Sequence, residues 1–118
     1  MKYKLTDETM EYYGRTLHRI QALKDFGLVE AGDLGGWIQS EKNLSQEGNC
    51  WVFHRAKVFQ FARVYGNAEV FGDAEVFGNA RVFDDAWVYG EAKVFGNAKV
   101  FDSAQVYDDA EIKNGSIG

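Results

Sequence analysis

From Gly48 onward the chain cycles through polar, small and aliphatic positions in sixes: GNCWVF, HRAKVF, QFARVY, GNAEVF, GDAEVF, GNARVF, DDAWVY, GEAKVF, GNAKVF, DSAQVY, DDAEIK. These 11 hexads cover residues 48–113 without an insertion or deletion. The third slot is Ala in ten of the 11, Cys50 being the exception, and the fifth is Val in ten, with Ile112 the eleventh. The sixth is Phe or Tyr in ten, and Lys113 alone breaks it. A period of six drifts around a helix of about 3.6 residues per turn, so no helix explains the pattern. Ala-x-Val places a small and an aliphatic residue on one face with a variable residue on the other, the alternation of a short strand buried on one side. The first two slots repeatedly hold Gly, Asn or Asp, as in Gly66-Asn67, Gly72-Asp73 and Asp84-Asp85. Those residues tolerate positive φ, so each hexad is expected to end in a corner.

A short strand and a corner every six residues make a coil whose sides are one hexad long. The segments Val70-Phe71-Gly72-Asp73-Ala74 and Val94-Phe95-Gly96-Asn97-Ala98 resemble the motif of the hexapeptide-repeat family. That resemblance implies an all-β fold, a left-handed parallel β-helix with three hexads per triangular coil. It predicts inward side chains at Ala68, Val70, Ala74, Val76, Ala80, Val82, Ala86, Val88, Ala92, Val94, Ala98 and Val100. Residues 18 apart then stack about 4.8 Å from one another. One outward column becomes Lys57, Glu75, Lys93, Glu111, whose alternating signs are what neighbouring strands prefer. A second, Arg63, Arg81, Lys99, is wholly basic, and the third is Trp51, Glu69, Trp87, Gln105.

The chain reads as one domain: a cap and degenerate first coil over 1–47, the β-helix over 48–113 and a tail over 114–118. Met1–Thr6 and Arg15–Leu23 are expected as two strands around an acidic, Gly14-containing turn, although Leu17, Ile20 and Leu23 also fit a helical stripe. Phe26–Leu44 reads as the degenerate coil segment, and a cap is required because the end of a β-helix exposes unpaired backbone. The segments around Leu17-His18-Arg19-Ile20, Asp33-Leu34-Gly35-Gly36-Trp37-Ile38 and Asn43-Leu44-Ser45 also resemble small hexapeptide-repeat proteins encoded by bacteria, phages and prophages.

Composition narrows the chemistry. The 118 residues carry a net charge of −5 and one cysteine, which argues against a broad basic nucleic-acid face and against an intrachain disulfide. The N-terminus lacks the apolar stretch of a signal peptide, and no apolar run approaches a membrane span, so a cytoplasmic location in a bacterial host is expected. Many hexapeptide-repeat proteins are acyltransferases with a catalytic histidine and a loop between coils. Here only His18 and His54 are present, one in the cap and one at a corner, and no loop interrupts the repeat. Two histidines also fall short of a three-histidine zinc site, and the outward rows lack the threonines of ice-binding helices. Cys50 occupies an inward slot as a substitute for Ala. The expectation is therefore no catalysis, no cofactor and no metal.

The sixth slot is the unusual feature. Its columns are Phe53, Phe71, Tyr89, Tyr107; Phe59, Phe77, Phe95; and Tyr65, Phe83, Phe101. Half-exposure of ten aromatics would leave on the order of 1,000 Å² of apolar surface, far above the few hundred a monomer usually shows. Self-association as a dimer or trimer is expected through the Phe59 or Tyr65 column. The Phe53 column, bordered by Trp87, is left for a host protein partner. Residues 66–111 carry a net −7, an acidic edge whose sharper reading is mimicry of DNA, and direct nucleic-acid binding is not expected. The basic column Arg63, Arg81, Lys99 is a candidate anion site that, with nearby aromatics, suits a nucleotide. The resulting functional expectation is a phage or prophage interaction protein that inhibits a host protein or defence system. Its alternatives are a nucleotide-sequestering oligomer, an acidic DNA mimic and a diverged acyltransferase.

Overall fold

A computed structural model describes all 118 residues. The chain opens with a hairpin, β1 (Tyr3–Tyr12) and β2 (Arg15–Ala22), and then β3 (Leu34–Ile38) and a 3-10 turn at Glu41–Asn43. Short strands follow at every hexad, and each third one stacks in parallel on its predecessor. One face carries β5 (Lys57–Val58), β8 (Glu75–Val76), β11 (Lys93–Phe95) and β14 (Glu111–Lys113). A second carries β4 (Trp51–Val52), β7 (Glu69–Val70), β10 (Trp87–Val88) and β13 (Gln105–Val106). The third carries β6 (Arg63–Val64), β9 (Arg81–Val82), β12 (Lys99–Val100) and β15 (Ser116–Ile117). The result is a β-solenoid of triangular coils with an N-terminal cap.

The slot chemistry is realised rung by rung. Every inward Ala and Val from Ala68 to Val100 is fully buried, and together with Ile20, Ile38 and Leu44 they form one continuous core. The first residue of each hexad from His54 to Asn114 adopts positive φ, whether Gly72 at 67° or Asp84 at 57°. His54 and Gln60 hold the same left-handed backbone at 49° and 58°, a conformation that L-residues other than Asn and Asp seldom adopt. Strand pairing keeps the 18-residue step, Arg63 beside Arg81 and Arg81 beside Lys99.

The first coil departs from that step. Leu44 pairs with Val64, 20 residues on, whereas Trp51 pairs with Glu69, 18 on. Two additional residues therefore sit in the corner after Leu44, and carbonyls of this first coil have no preceding coil to donate to them. Lys2 supplies the missing partners: its ammonium donates to the carbonyls of Glu47, Gly48 and Cys50 at 3.4, 3.3 and 2.8 Å. Asn43 does similar work, accepting from the Gln39 and Ser40 amides and donating to the Gln60 and Ala62 carbonyls. Gly35 and Gly36 let β3 approach the next coil, since a Cβ there would lie 2.7 Å from Ile20 and 2.6 Å from the Ala56 carbonyl.

The hairpin settles the two readings of the N-terminal segment. Leu17 and Ile20 lie on strand β2, and β2 pairs antiparallel with β3, so the cap continues the sheet of the Lys57 face past the first coil. Strand β1 is longer than the expected Met1–Thr6 because the acidic stretch Asp7–Glu8 tolerates an outer, solvent-facing edge, with a bulge between Leu5 and Thr9. The turn itself is Tyr13-Gly14, both at positive φ as a two-residue hairpin turn requires.

Candidate functional site

The ten sixth-slot aromatics stack as ladders, and stacking hides much of each ring. Phe59, Phe77 and Phe95 lie parallel at 5.1 and 5.0 Å between centroids, and Tyr65, Phe83 and Phe101 at 4.9 and 5.3 Å. Phe71, Tyr89 and Tyr107 form a third stack, with Phe53 turned edge-on at its head. Two rings, Phe59 of these ladders and Trp51 of the fourth-slot column, are not the outward surface the sequence suggested. Phe59 is buried with Leu17 and Trp37 because Tyr12 of the hairpin packs edge-on against it at 5.7 Å. Trp51 is buried between Tyr3 and Phe26, since the cap closes over the first rung of its column. Neither ring is free to meet a partner.

What stays exposed is Trp87 at 39% and Tyr107 at 48%, on and beside β10 and β13. Leu28, 97% exposed on the cap loop, overhangs the same face. Leu28, Phe53, Glu69, Trp87 and Gln105 line a cleft of about 480 Å³. Burial pushes the Glu69 carboxyl above its ordinary range. Leu28 lay in no repeat column and Phe61, 79% exposed, stands in a corner slot, so the periodicity pointed to neither.

On the third face the basic column is intact. Arg63, Arg81 and Lys99 are exposed and lie on adjacent rungs, and none makes an ion pair; the two in the structure are Arg19–Glu8 and Arg55–Asp73. Arg63 and Arg81 line a cleft of about 470 Å³ with Lys42, Ser45, Val64 and Tyr65, a lining without a carboxylate. The alternating column differs. Lys57, Glu75, Lys93 and Glu111 are in register, but Lys57 turns its ammonium to the Arg55 carbonyl and the Tyr12 ring, while Tyr12 donates to Glu75. Around Lys93 gather Asp73, Glu75, Glu91, Asp109 and Glu111, the acidic edge.

His18 is half-buried with Nδ1 3.4 Å from the Thr6 carbonyl, and His54 stands exposed at its corner. Cys50 is buried, its sulfur 3.3 Å from the Lys2 ammonium. Burial raises the thiol pKa and lowers that of the ammonium. No group of three or more His, Cys, Asp and Glu side chains is placed to hold a metal ion. No helix is long and apolar enough to cross a membrane.

Comparison with known proteins adds two findings. Residues 74–90 match the repeat described as YdcK Beta solenoid repeat. The chain is also 40% identical over 60 residues to "Uncharacterized acetyltransferase YdcK" of Escherichia coli (strain K12), a match covering 44% of this chain and 18% of that protein. The chain thus corresponds to less than a fifth of that relative's length. The coil geometry makes the chain a β-solenoid, and these matches fit a β-helix built from hexapeptide repeats. They also correct the expectation of no catalysis. The same repeat occurs in a protein named an acetyltransferase, so the repeat itself is no argument against enzymatic activity.

Proposed function

We propose that the protein is an interaction module that docks on a partner protein and inhibits it, in the manner suggested by its resemblance to phage and prophage proteins. The observation that carries this reading is the Trp87 face. A Trp and a Tyr stand exposed at 39% and 48% beside a cleft overhung by an almost fully exposed Leu28. Trp and Tyr dominate binding hot spots because they offer large rigid area at low entropic cost. Capture from bacterial lysate with the wild-type chain, Trp87→Ala and Arg63→Gln tests the assignment. The expected outcome is a partner retained by wild type and Arg63→Gln and lost from Trp87→Ala. Equal capture by all three refutes docking through this face.

A second reading, acyl-group transfer, is supported by the name of the Escherichia coli relative and its 40% identity over 60 residues. Its test is release of free thiol from acetyl-CoA in the presence of an amine or hydroxyl acceptor. Turnover that disappears in the folded His18→Asn, His54→Asn double variant favours it.

A further inference from the structure

The three aromatic ladders end differently at the N-terminal side. The Phe59 ladder is closed by Tyr12 and the Phe53 ladder by packing of Phe53 against the core of the first coil. The Tyr65 ladder is not closed by a ring. The Ser45 amide donates to the Val64 carbonyl just as the Tyr65 amide donates to Val82, so Ser45 occupies the rung directly before Tyr65. A serine stands where a fourth ring would continue the stack. One face of Tyr65 lies against Phe83, in planes 1° from parallel, and Tyr65 lines a cleft together with Ser45 and Lys42.

The charges around that open ring are one-sided. Arg63 lies two residues before Tyr65 on the same side of the strand, roughly 7 Å away along the chain. Arg81 lies one rung on, and like charges on adjacent strands about 4.8 Å apart repel. On the neighbouring Lys57 face the fold alternates signs at the same spacing. Here Lys42, Arg63 and Arg81 meet with no carboxylate in the lining and no ion pair. Two guanidinium forks on successive rungs suit phosphate oxygens, which accept bidentate hydrogen bonds and offset the repulsion. The cleft, about 470 Å³, falls within the roughly 300–1,000 Å³ of small-molecule sites.

We propose that this cleft binds a nucleoside phosphate, its base stacked on Tyr65 as the missing ring of the ladder and its phosphates held by Arg63, Arg81 and Lys42. The site is on a different face from Trp87 and does not depend on the partner-docking reading. The shared chemistry, a base carrying phosphates, comes either from a free nucleotide or from the nucleotide end of a larger carrier.

Calorimetric titration with ADP, adenosine, inorganic pyrophosphate and coenzyme A tests it. Saturable ADP binding is expected, at least tenfold tighter than adenosine or pyrophosphate, and weaker at higher salt. Arg81→Gln should weaken ADP by about tenfold or more, the usual cost of a lost charged contact. Tyr65→Leu should weaken it by about fivefold or more while leaving pyrophosphate unchanged, because base–aromatic stacking is worth about 1–3 kcal/mol per base. Circular dichroism verifies that both variants fold. Coenzyme A binding tighter than ADP identifies the carrier as the source, and the reverse identifies the free nucleotide. No saturable ADP binding up to millimolar concentration overturns the proposal. So does ADP binding that both folded variants retain. Equal affinity for ADP and pyrophosphate overturns the stacking on Tyr65.

Discussion

At the scale of single residues, the cap is held by polar groups taken out of water. Tyr3 is buried, with its hydroxyl donating to the Leu44 carbonyl at 2.6 Å, and burial pushes its pKa well above the ordinary 10.0. Tyr12 is shifted in the same direction, first by burial and then by its hydrogen bond to Glu75. Burial likewise raises the Cys50 thiol above 9.0 and lowers the Lys2 ammonium below 10.5. The signs oppose one another. For Cys50, Tyr3 and Tyr12 the unfolded chain ionises first, so stability present below their unfolded values is lost as pH climbs past them. For Lys2 the unfolded chain holds its proton longer, so stability rises with pH until the unfolded ammonium titrates. Three groups lose and one gains, and the expected net effect is a melting temperature that falls from about pH 9 upward. Tyr3→Phe should flatten that fall, at the cost of the bond to Leu44. A melting temperature that climbs between about pH 9 and 11 contradicts the assignment.

At the scale of elements, the strands of the repeat are only two or three residues long and derive their stability from stacking rather than from their own length. Ala80 is fully buried on its rung between Ala62 and Ala98, both also fully buried. Ala80→Leu forces extra volume into that layer and should cost about 1–3 kcal/mol, read as a lower midpoint in urea. An unchanged midpoint would mean that the inward slot has room to spare. The repeat was legible because strand, corner and rung are all encoded within six residues, and the 18-residue step then aligned Arg63, Arg81 and Lys99 without a structure. The rest of that cleft was not legible. Lys42 and Ser45 precede the two-residue expansion of the first coil, so counting back by 18 sets Ser45 under Arg63 instead of under Tyr65. Trp51 and Phe59 sit in the repeat and were read by its rule, but what covers them, Tyr3 and Phe26 on Trp51 and Tyr12 on Phe59, comes from the cap, 25 or more residues away in sequence and with no period of its own. Long-range packing of this kind overrides a local pattern.

At the scale of the whole molecule, the question is which apolar surface remains after the ladders have stacked and the cap has closed. The body measures 34 × 31 × 22 Å, small enough that every coil edge is also molecular surface. Phe61 projects 79% exposed from the corner between β5 and β6, where its amide donates to the carbonyl of Gly78, next in the chain to the half-buried Phe77. Tyr13, 75% exposed, stands at the tip of the hairpin on the Lys57 face and, with Arg15, Phe59 and Phe77, lines a further cleft. Gln60, the chain neighbour of Phe61, lines that cleft too, so association through the Phe61 corner would cover exposed apolar surface, and closed symmetry would yield a dimer or trimer rather than a fibre. Light scattering at micromolar concentration should therefore give at least twice the 13.3 kDa of one chain. Phe61→Ser separates association from folding, because a side chain so exposed contributes little to the core it leaves behind. That variant should lower the measured mass with an unchanged circular dichroism spectrum, whereas Phe77→Glu should lower both mass and stability by breaking the ladder between Phe59 and Phe95. A wild-type mass of one chain removes self-association as a use for this edge, and the Trp87 face and the Tyr65 cleft then account for the binding surface separately.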